Sequence, residues 1–388
     1  MRRHVLNRVA VGLLGLLMFL TATFFLARWM IPGDYTSNFA GGRAATSGLR
    51  ARLGLDLPLW QQWLRWMESV LTFDLGEGAN GRPVIDSILA ALPWTLAMFV
   101  IGIGLAFWVG GKVGRWAGWR RKSLTATTIG AATLTSLFPP WLVFLVLYAG
   151  LNVLGFRPFN RLAALQFELW NGDVQPFQIW WKMLGTLAVL AGVVLLAMKL
   201  AGNPPRRRMV ARVSAIAILP VSLGLWYLMG IGPWAMDLLA FLTFPVTVLF
   251  LVVVGDIILV MAAAMDGTAG SDFVTAARAK GLSERQVRDR HAGRVALLPA
   301  LSRLTAALPF ALGGIVIIEA SFGALGGYRI PIPGMSSVLF GSLRQRNIVL
   351  TLGGLVVVGI ITLLVRIGLD IAIAVLDPRV KMEADAHG

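Results

Sequence analysis

The chain alternates long apolar runs with short polar breaks, and eight of the runs reach the length that a membrane helix requires. A hydrocarbon core of roughly 30 Å takes about 20 apolar residues in a helix. Residues 9–30, 93–111, 124–150, 179–198, 209–231, 236–264, 297–320 and 347–375 meet that requirement. One interruption differs from the rest. Between Ser271 and Pro299 the chain reads SDFVTAARAKGLSERQVRDRHAGRVALLP, a polar, helix-forming island set just ahead of a span. Ser271 suits an N-cap and Gly281 suits a stop, because glycine adopts positive φ at little cost. Ser283 and Gln286 have capping-box spacing, and Leu282 and Val287 flank it as a hydrophobic staple would. The pattern predicts two short helices joined by a glycine elbow, with small Ala276, Ala277 and Ala279 permitting close approach to another surface. A second amphipathic stretch lies in the longest non-membrane segment, 31–92. From Pro58 to Leu71, residues Leu59, Trp63, Trp66, Met67 and Val70 recur at three- and four-residue steps. Two readings of that stripe stand: tryptophans settled at the membrane–water interface, or a cap over a translocation path.

Composition turns these spans into a fold class. The chain is 57% hydrophobic and 14% charged, against about a quarter charged in soluble proteins. It is therefore read as an all-α integral membrane protein with about eight transmembrane helices. Arg2, Arg3 and Arg8, the 112–122 loop, the 199–212 loop, the polar island and the tail carry the basic clusters. By the positive-inside rule all five face the cytoplasm, which places both termini inside and accounts for the net charge of +16 without nucleic acid. The first run is longer than the roughly 7–15 residues of a signal-peptide core and is read as a retained span. There is no cysteine, and the histidines at 4, 291 and 387 are far apart in sequence, which argues against a metal centre. Gly110-Gly111-Lys112 is followed by Val113 rather than Ser or Thr, so the phosphate-binding loop of an ATPase is not written here. No catalytic, cofactor-binding or metal residue is predicted in this chain.

The chain resembles the integral-membrane permease subunit of ABC importers of the oligopeptide/dipeptide/nickel, binding-protein-dependent family. The matching pieces occur in family order: Ile31-Pro32-Gly33-Asp34, Leu53-Gly54-Leu55-Asp56, Phe73-Asp74-Leu75-Gly76, Arg82-Pro83-Val84 and Leu92-Pro93 with Thr95-Leu96. The run Phe273 to Ser283 follows, then Leu298-Pro299, Ile318-Glu319-Ala320-Ser321-Phe322 and Leu376-Asp377-Pro378-Arg379. The chain departs from the wider superfamily in carrying Thr275 where Glu is common, and Gly323–Ser337 differs from the usual compact turn. The family's usual six spans imply that 179–231 is an inserted transmembrane hairpin. The resulting organisation is an N-terminal helix (1–30), an extracytoplasmic loop (31–92), core spans with an outer loop (93–178), and the hairpin (179–231). A second core part (232–376) carries the coupling-helix loop 265–296, and a cytoplasmic tail (377–388) follows.

The resemblance implies a subunit of an ATP-driven importer in the bacterial or archaeal cytoplasmic (inner) membrane. It would form half of a pathway for peptides or a similar small solute. Its implied partners are a second homologous permease, two ATPase subunits that bind ATP and Mg, an extracytoplasmic substrate-binding protein, and membrane lipid. Residues 271–291 would dock on an ATPase, with Thr275, Ala276, Ala277, Arg278, Lys280, Gly281, Ser283 and Arg285 as the coupling residues. Without the resemblance, an amphipathic segment lying on anionic lipid is an equal reading.

Charges inside spans are costly and tend to mark function. Asp256 is expected to line the substrate path or to bond within the bundle, and Glu319 to help a gate, bind a substrate amine or pair with a nearby loop. Pro139-Pro140 is expected to break the third run, as a hinge or as a fixed kink. Glycine pairs 110–111, 313–314 and 353–354 suit close helix crossings. The alternative function is a secondary active transporter without ATPase partners, which predicts inverted repeats and coupling charges in both halves.

Overall fold

A computed structural model describes residues 2–30, 56–78, 83–156, 176–325 and 332–376. Helices dominate: α1 (Arg2–Met30), α2 (Leu59–Leu71), α3 (Val84–Trp119), α4 (Arg121–Thr135), α5 (Pro139–Tyr148), α6 (Pro176–Leu200), α7 (Pro204–Leu228) and α8 (Gly232–Ala269). They continue as α9 (Asp272–Ala279), α10 (Gly293–Leu325), α11 (Met335–Arg344) and α12 (Ile348–Leu376). Among the described residues six helices are long and apolar enough to cross a membrane, and two bent pairs make eight where each is counted as one span. Six of the apolar runs are these helices, and the other two, 124–150 and 297–320, fall on the bent pairs.

Two long helices form the spine. About half of the apolar window is buried in α3 (56%) and α8 (50%), against 6% and 11% in α6 and α7. The spine closes because α3 presents glycines to α8. A Cβ added at Gly110 would lie 2.9 Å from Ile257, at Gly114 2.7 Å from Met261, and at Gly118 2.3 Å from the Ala262 carbonyl. These residues repeat every four positions, the small-residue spacing that lets membrane helices approach closely. Of the glycine pairs expected at crossings, Gly353 and Gly354 also serve, meeting Val84 and Leu339. An added Cβ at Gly313 or Gly314 would meet nothing within 4 Å, so that pair borders open space rather than a crossing within this chain.

The third run is broken more sharply than a kink. Ser123–Thr135 and Pro139–Val153 meet at 100°. Pro139 and Pro140 donate no N–H, and Phe138 before them is extended (φ −70°, ψ 122°), the conformation a following proline imposes. The α6–α7 hairpin turns at Gly202, where φ is +60°, and Asn203 is extended ahead of Pro204. It rests on the spine through Ile179, Trp180, Met183 and Trp226, with Trp94 edge-on to both Trp180 and Phe241.

Helix α2 lays part of its tryptophan stripe on this chain's own helices. Trp66 stacks on Phe24 of α1 with ring centroids 5.2 Å apart, and Trp63 joins Phe24, Ile348 and Leu352. The stripe therefore lies across the ends of α1 and α12. Trp60 and Leu64 on its far side remain exposed.

Candidate functional site

The polar island folds into an elbow at the arginine-rich end of the spine. Its first arm is α9. Ser271 stands at the N-cap with extended backbone, but its hydroxyl donates to the Thr268 carbonyl at 2.6 Å instead of capping the helix. The arm ends where Gly281 takes φ +75°. Ser283 then forms the expected capping box with Gln286. The second arm is not a separate short helix. Glu284–Gln286 passes through a π-helical stretch, Val287–Ala292, directly into α10. No helix breaker stands between Gln286 and Gly293, and Gly293 itself is helical, so the turn propagates into the span.

The elbow has an inner and an outer face. Val274, Ala277, Val287, Ala292 and Ala296 are buried against Met261 and Met265 of α8. Leu282 packs on the same cluster beside Val287, as a hydrophobic staple would. Ala277, expected on the docking surface, is only 6% exposed and fills a place in this chain's own core. The reason is helical phase: Ala277 lies one turn from Val274, whose side chain must be buried. Thr275, Ala276, Arg278, Lys280, Gly281, Ser283 and Arg285 do stand exposed.

Charge pairs hold the two arms in register. Arg278 grips Glu284 through two contacts of 2.8 and 3.4 Å. The Trp119 indole N–H donates to the same carboxylate at 3.1 Å, and Arg278 sits over the Trp119 ring at 5.3 Å. The end of α3 is thus tied to both arms. The Arg278 hydrogen bond holds the Glu284 carboxyl below the usual carboxylate range. Arg288 does the same for Asp289, with Arg115 and Arg285 adding to the effect. Beside the elbow a groove of about 660 Å³ is lined by Arg115, Phe273, Asp289, Arg290, His291 and Arg294 among others.

Deeper in the bundle the two predicted acidic residues have different surroundings. Glu319 on α10 is 1% exposed. The Thr95 hydroxyl donates to it at 2.6 Å and the Ser336 N–H at 2.9 Å, while the Met335 N–H donates to Thr95 at 2.9 Å. A Cβ on Gly334 would fall 2.4 Å from the Glu319 carboxylate. The residue knots α3, α10 and α11 together. Asp256 on α8 instead pairs with Arg303 of α10 at 3.5 Å, and the side chains remain 40% and 52% exposed. A charge against lipid costs about 2.5–3.5 kcal/mol at mid-bilayer on insertion scales, so water or protein must meet this pair. The sequence reading missed Arg303, although it is the one cation within 297–320.

The neighbourhood of the pair mixes small and polar residues with apolar ones. Gly255 lets α8 press on α4, where an added Cβ would sit 2.6 Å from the Ala131 carbonyl. On α4 and its C-cap, Thr125, Ala126, Ile129, Gly130, Ala132, Thr133 and Ser136 are exposed, as are Val295, Pro299, Ser302 and Ala306 on α10. The hydroxyls of Thr128, Thr133 and Ser136 bond back to carbonyls of their own helix.

With this geometry in hand, comparison with known proteins is informative. The profile of a family described as binding-protein-dependent transport system inner membrane component matches residues 110–382. That stretch holds the elbow, Asp256, Arg303 and Glu319. A putative peptide permease protein of Brucella ovis is 27% identical over 389 residues, covering 98% of this chain and all of that protein. The dipeptide transport system permease protein DppB of Escherichia coli K12 is 27% identical over 364 residues, 91% of each chain. A putative peptide transport system permease protein of Brucella abortus is 25% identical over 383 residues, 98% of this chain and 99% of the relative.

Proposed function

The chain belongs to the binding-protein-dependent transport system inner membrane component family, and from that premise we propose that it imports short peptides and takes its drive through the elbow. At the coarser level it is a multi-pass inner-membrane permease subunit of an ABC importer, a transport subunit and not an enzyme. Peptide cargo is supported by the names of the relatives. ATP and Mg are bound by partner ATPase subunits, and a substrate-binding protein delivers the cargo. A second permease completes the pathway, of which this chain builds half.

The observation that carries the coupling role is an exposed face, Thr275 to Arg285, on an elbow tied internally to three long helices. Val274 and Val287 fix it to α8, Glu284 to Trp119 of α3, and the π-helical stretch to α10. A force applied to Ala276, Lys280 or Ser283 therefore reaches α3, α8 and α10 together instead of bending a loose loop. ATP closes the ATPases, and it shifts the permease only as far as nucleotide binds the two arrangements with different affinity.

Because the chain has no cysteine, site-directed crosslinking is clean. Ala276→Cys should crosslink to a cysteine in the ATPase groove of a transport-competent complex, whereas Ala277→Cys, buried on the same helix, should not. A competent complex in which position 276 never reaches the ATPase would refute docking. Uptake of a labelled dipeptide by the reconstituted complex tests the cargo.

A further inference from the structure

The Asp256–Arg303 pair is looser than a structural ion pair needs to be. Arginine carries five donors in a planar fork that matches a carboxylate with two parallel hydrogen bonds. Here the closest approach of the two side chains is 3.5 Å, and among the described residues neither has a second ion-pair partner. Both ends stay open, Arg303 more than Asp256. The pair also lies on a surface that carries small and polar side chains. Ser302 is exposed beside Arg303, Ala306 less than one turn on, and α4, which packs on α8 at Gly255 through Ala131, carries Thr125 and Thr133 exposed. The hairpin α6–α7 offers the opposite surface, with Val189, Val193, Leu195 and Ile216 outermost.

We propose that Arg303 receives the main-chain carboxylate of the transported peptide, exchanging it for Asp256. Asp256 acts as a positioning residue that holds and neutralises the guanidinium while the pathway is empty. The assignment rests on the peptide reading above. The chemistry is an exchange of partners with no covalent step: a bidentate carboxylate replaces a long contact, and the released Asp256 carboxylate, 40% exposed, is taken up by water or by the ammonium end of the same peptide. A free C-terminal carboxylate is present on every unmodified peptide whatever its side chains. One arginine on a polar face thus engages a whole substrate class without reading its sequence. The small neighbours Ser302 and Ala306 leave side-chain room.

The test uses the complete complex in lipid nanodiscs with Ser302→Cys as the sole cysteine of this subunit. A small, charged, membrane-impermeant thiol reagent reports water access in the nucleotide-free and nucleotide-bound states. Millimolar dipeptide added directly, without the binding protein, should slow labelling in at least one state by roughly tenfold, the scale of one charge-assisted hydrogen-bonded contact. The same dipeptide as its C-terminal amide should leave the rate unchanged. Adding Arg303→Gln should abolish protection, and Arg303→Lys should restore part of it. If the thiol introduced by Ser302→Cys never labels, lipid or the second permease covers the face, and that outcome overturns the proposal. Equal protection by acid and amide overturns it too, as does protection that survives Arg303→Gln. Dipeptide uptake by the unmodified complex separates the two levels: uptake with no acid–amide difference refutes the arginine assignment alone, and no uptake refutes the peptide reading beneath it.

Discussion

Two faces of this bundle are equally bare in the isolated chain and chemically opposite. The α6–α7 hairpin shows Val189, Val193, Leu195, Leu196, Ile216 and Leu219 outermost. Across α4 and α10 the uncovered residues include Thr125, Gly130, Thr133, Ser302 and Arg303, with Asp256 beside them. Exposure alone does not distinguish the two. The charges do, because hydrocarbon accepts the first face and penalises Arg303 and Asp256 on the second. The hairpin reads as a lipid-facing flank, and α4 with α10 reads as the side that protein and water must complete. Both hang from the same spine, so they can be perturbed together or one at a time.

Perturbing both at once has the largest effect. Gly118→Val would place a branched side chain where even a Cβ comes within 2.3 Å of the Ala262 carbonyl. Overpacking of this kind costs about 1–3 kcal/mol or more, and here the clash is with backbone rather than with a flexible side-chain tip. The expected result is loss of monodisperse complex in size-exclusion chromatography. Gly192→Val, on the hairpin, where an added Cβ meets nothing, should purify normally. If Gly118→Val behaves like that control, the two faces do not share a spine.

Introducing a charge separates the faces. Val189, 67% exposed, lies near the middle of α6, and Val189→Arg should carry the insertion penalty of about 2.5–3.5 kcal/mol. Thr133 lies 12 residues into α4, or about 18 Å along the helix axis. Thr133→Arg should be far better tolerated, because that face is not lipid's. Protease-protected yield in membranes measures both, and equal losses would erase the distinction.

Much of this was legible beforehand. The spans could be read because each needs only a count of apolar residues, and the elbow because Gly281, Ser283 and Gln286 encode local geometry. What could not be read depends on neighbours. Ala276 and Ala277 are identical in sequence, and only packing on Met261 and Met265 decides which is hidden. Pro139-Pro140 announces a break, but its 100° angle is set by the bundle around it. Gly114 and Gly118 were visible at a four-residue spacing from Gly110, yet adjacent pairs drew the attention instead. Arg303 could have been found as the lone cation of its span. Its relation to Asp256 could not, since 47 positions separate them.

Glu319 marks the limit of the polar face. It is as acidic as Asp256 but sits inside the knot of Thr95 and Ser336. Glu319→Ala strands those two buried donors, at about 1–3 kcal/mol for each group left unsatisfied, and should lower the melting temperature of the complex. Glu319→Gln keeps an acceptor for Thr95 and should retain peptide uptake. If Glu319→Gln abolished uptake in a stable complex, the residue would belong to the transport face after all.

The smallest thermodynamic effect is expected at the elbow, where function should respond most out of proportion. The Arg278–Glu284 pair is largely exposed, at 44% and 61%, and exposed pairs contribute roughly 0.2–1 kcal/mol. Glu284→Gln should therefore move the melting temperature by no more than about 4 °C, given that 1 kcal/mol shifts it by about 2–4 °C in mid-sized domains. It removes the charge that Arg278 grips and weakens the acceptor for Trp119, so the α3 end is less firmly tied to the two arms. ATP hydrolysis by the partner subunits should continue while peptide uptake per ATP falls severalfold. The conservative Glu284→Asp shortens the reach by one methylene and keeps the charge, so its ratio should lie between wild type and Glu284→Gln. An unchanged ratio in both variants would mean that α8 and α10 alone carry the movement, and that the tether to Trp119 only shapes the resting elbow.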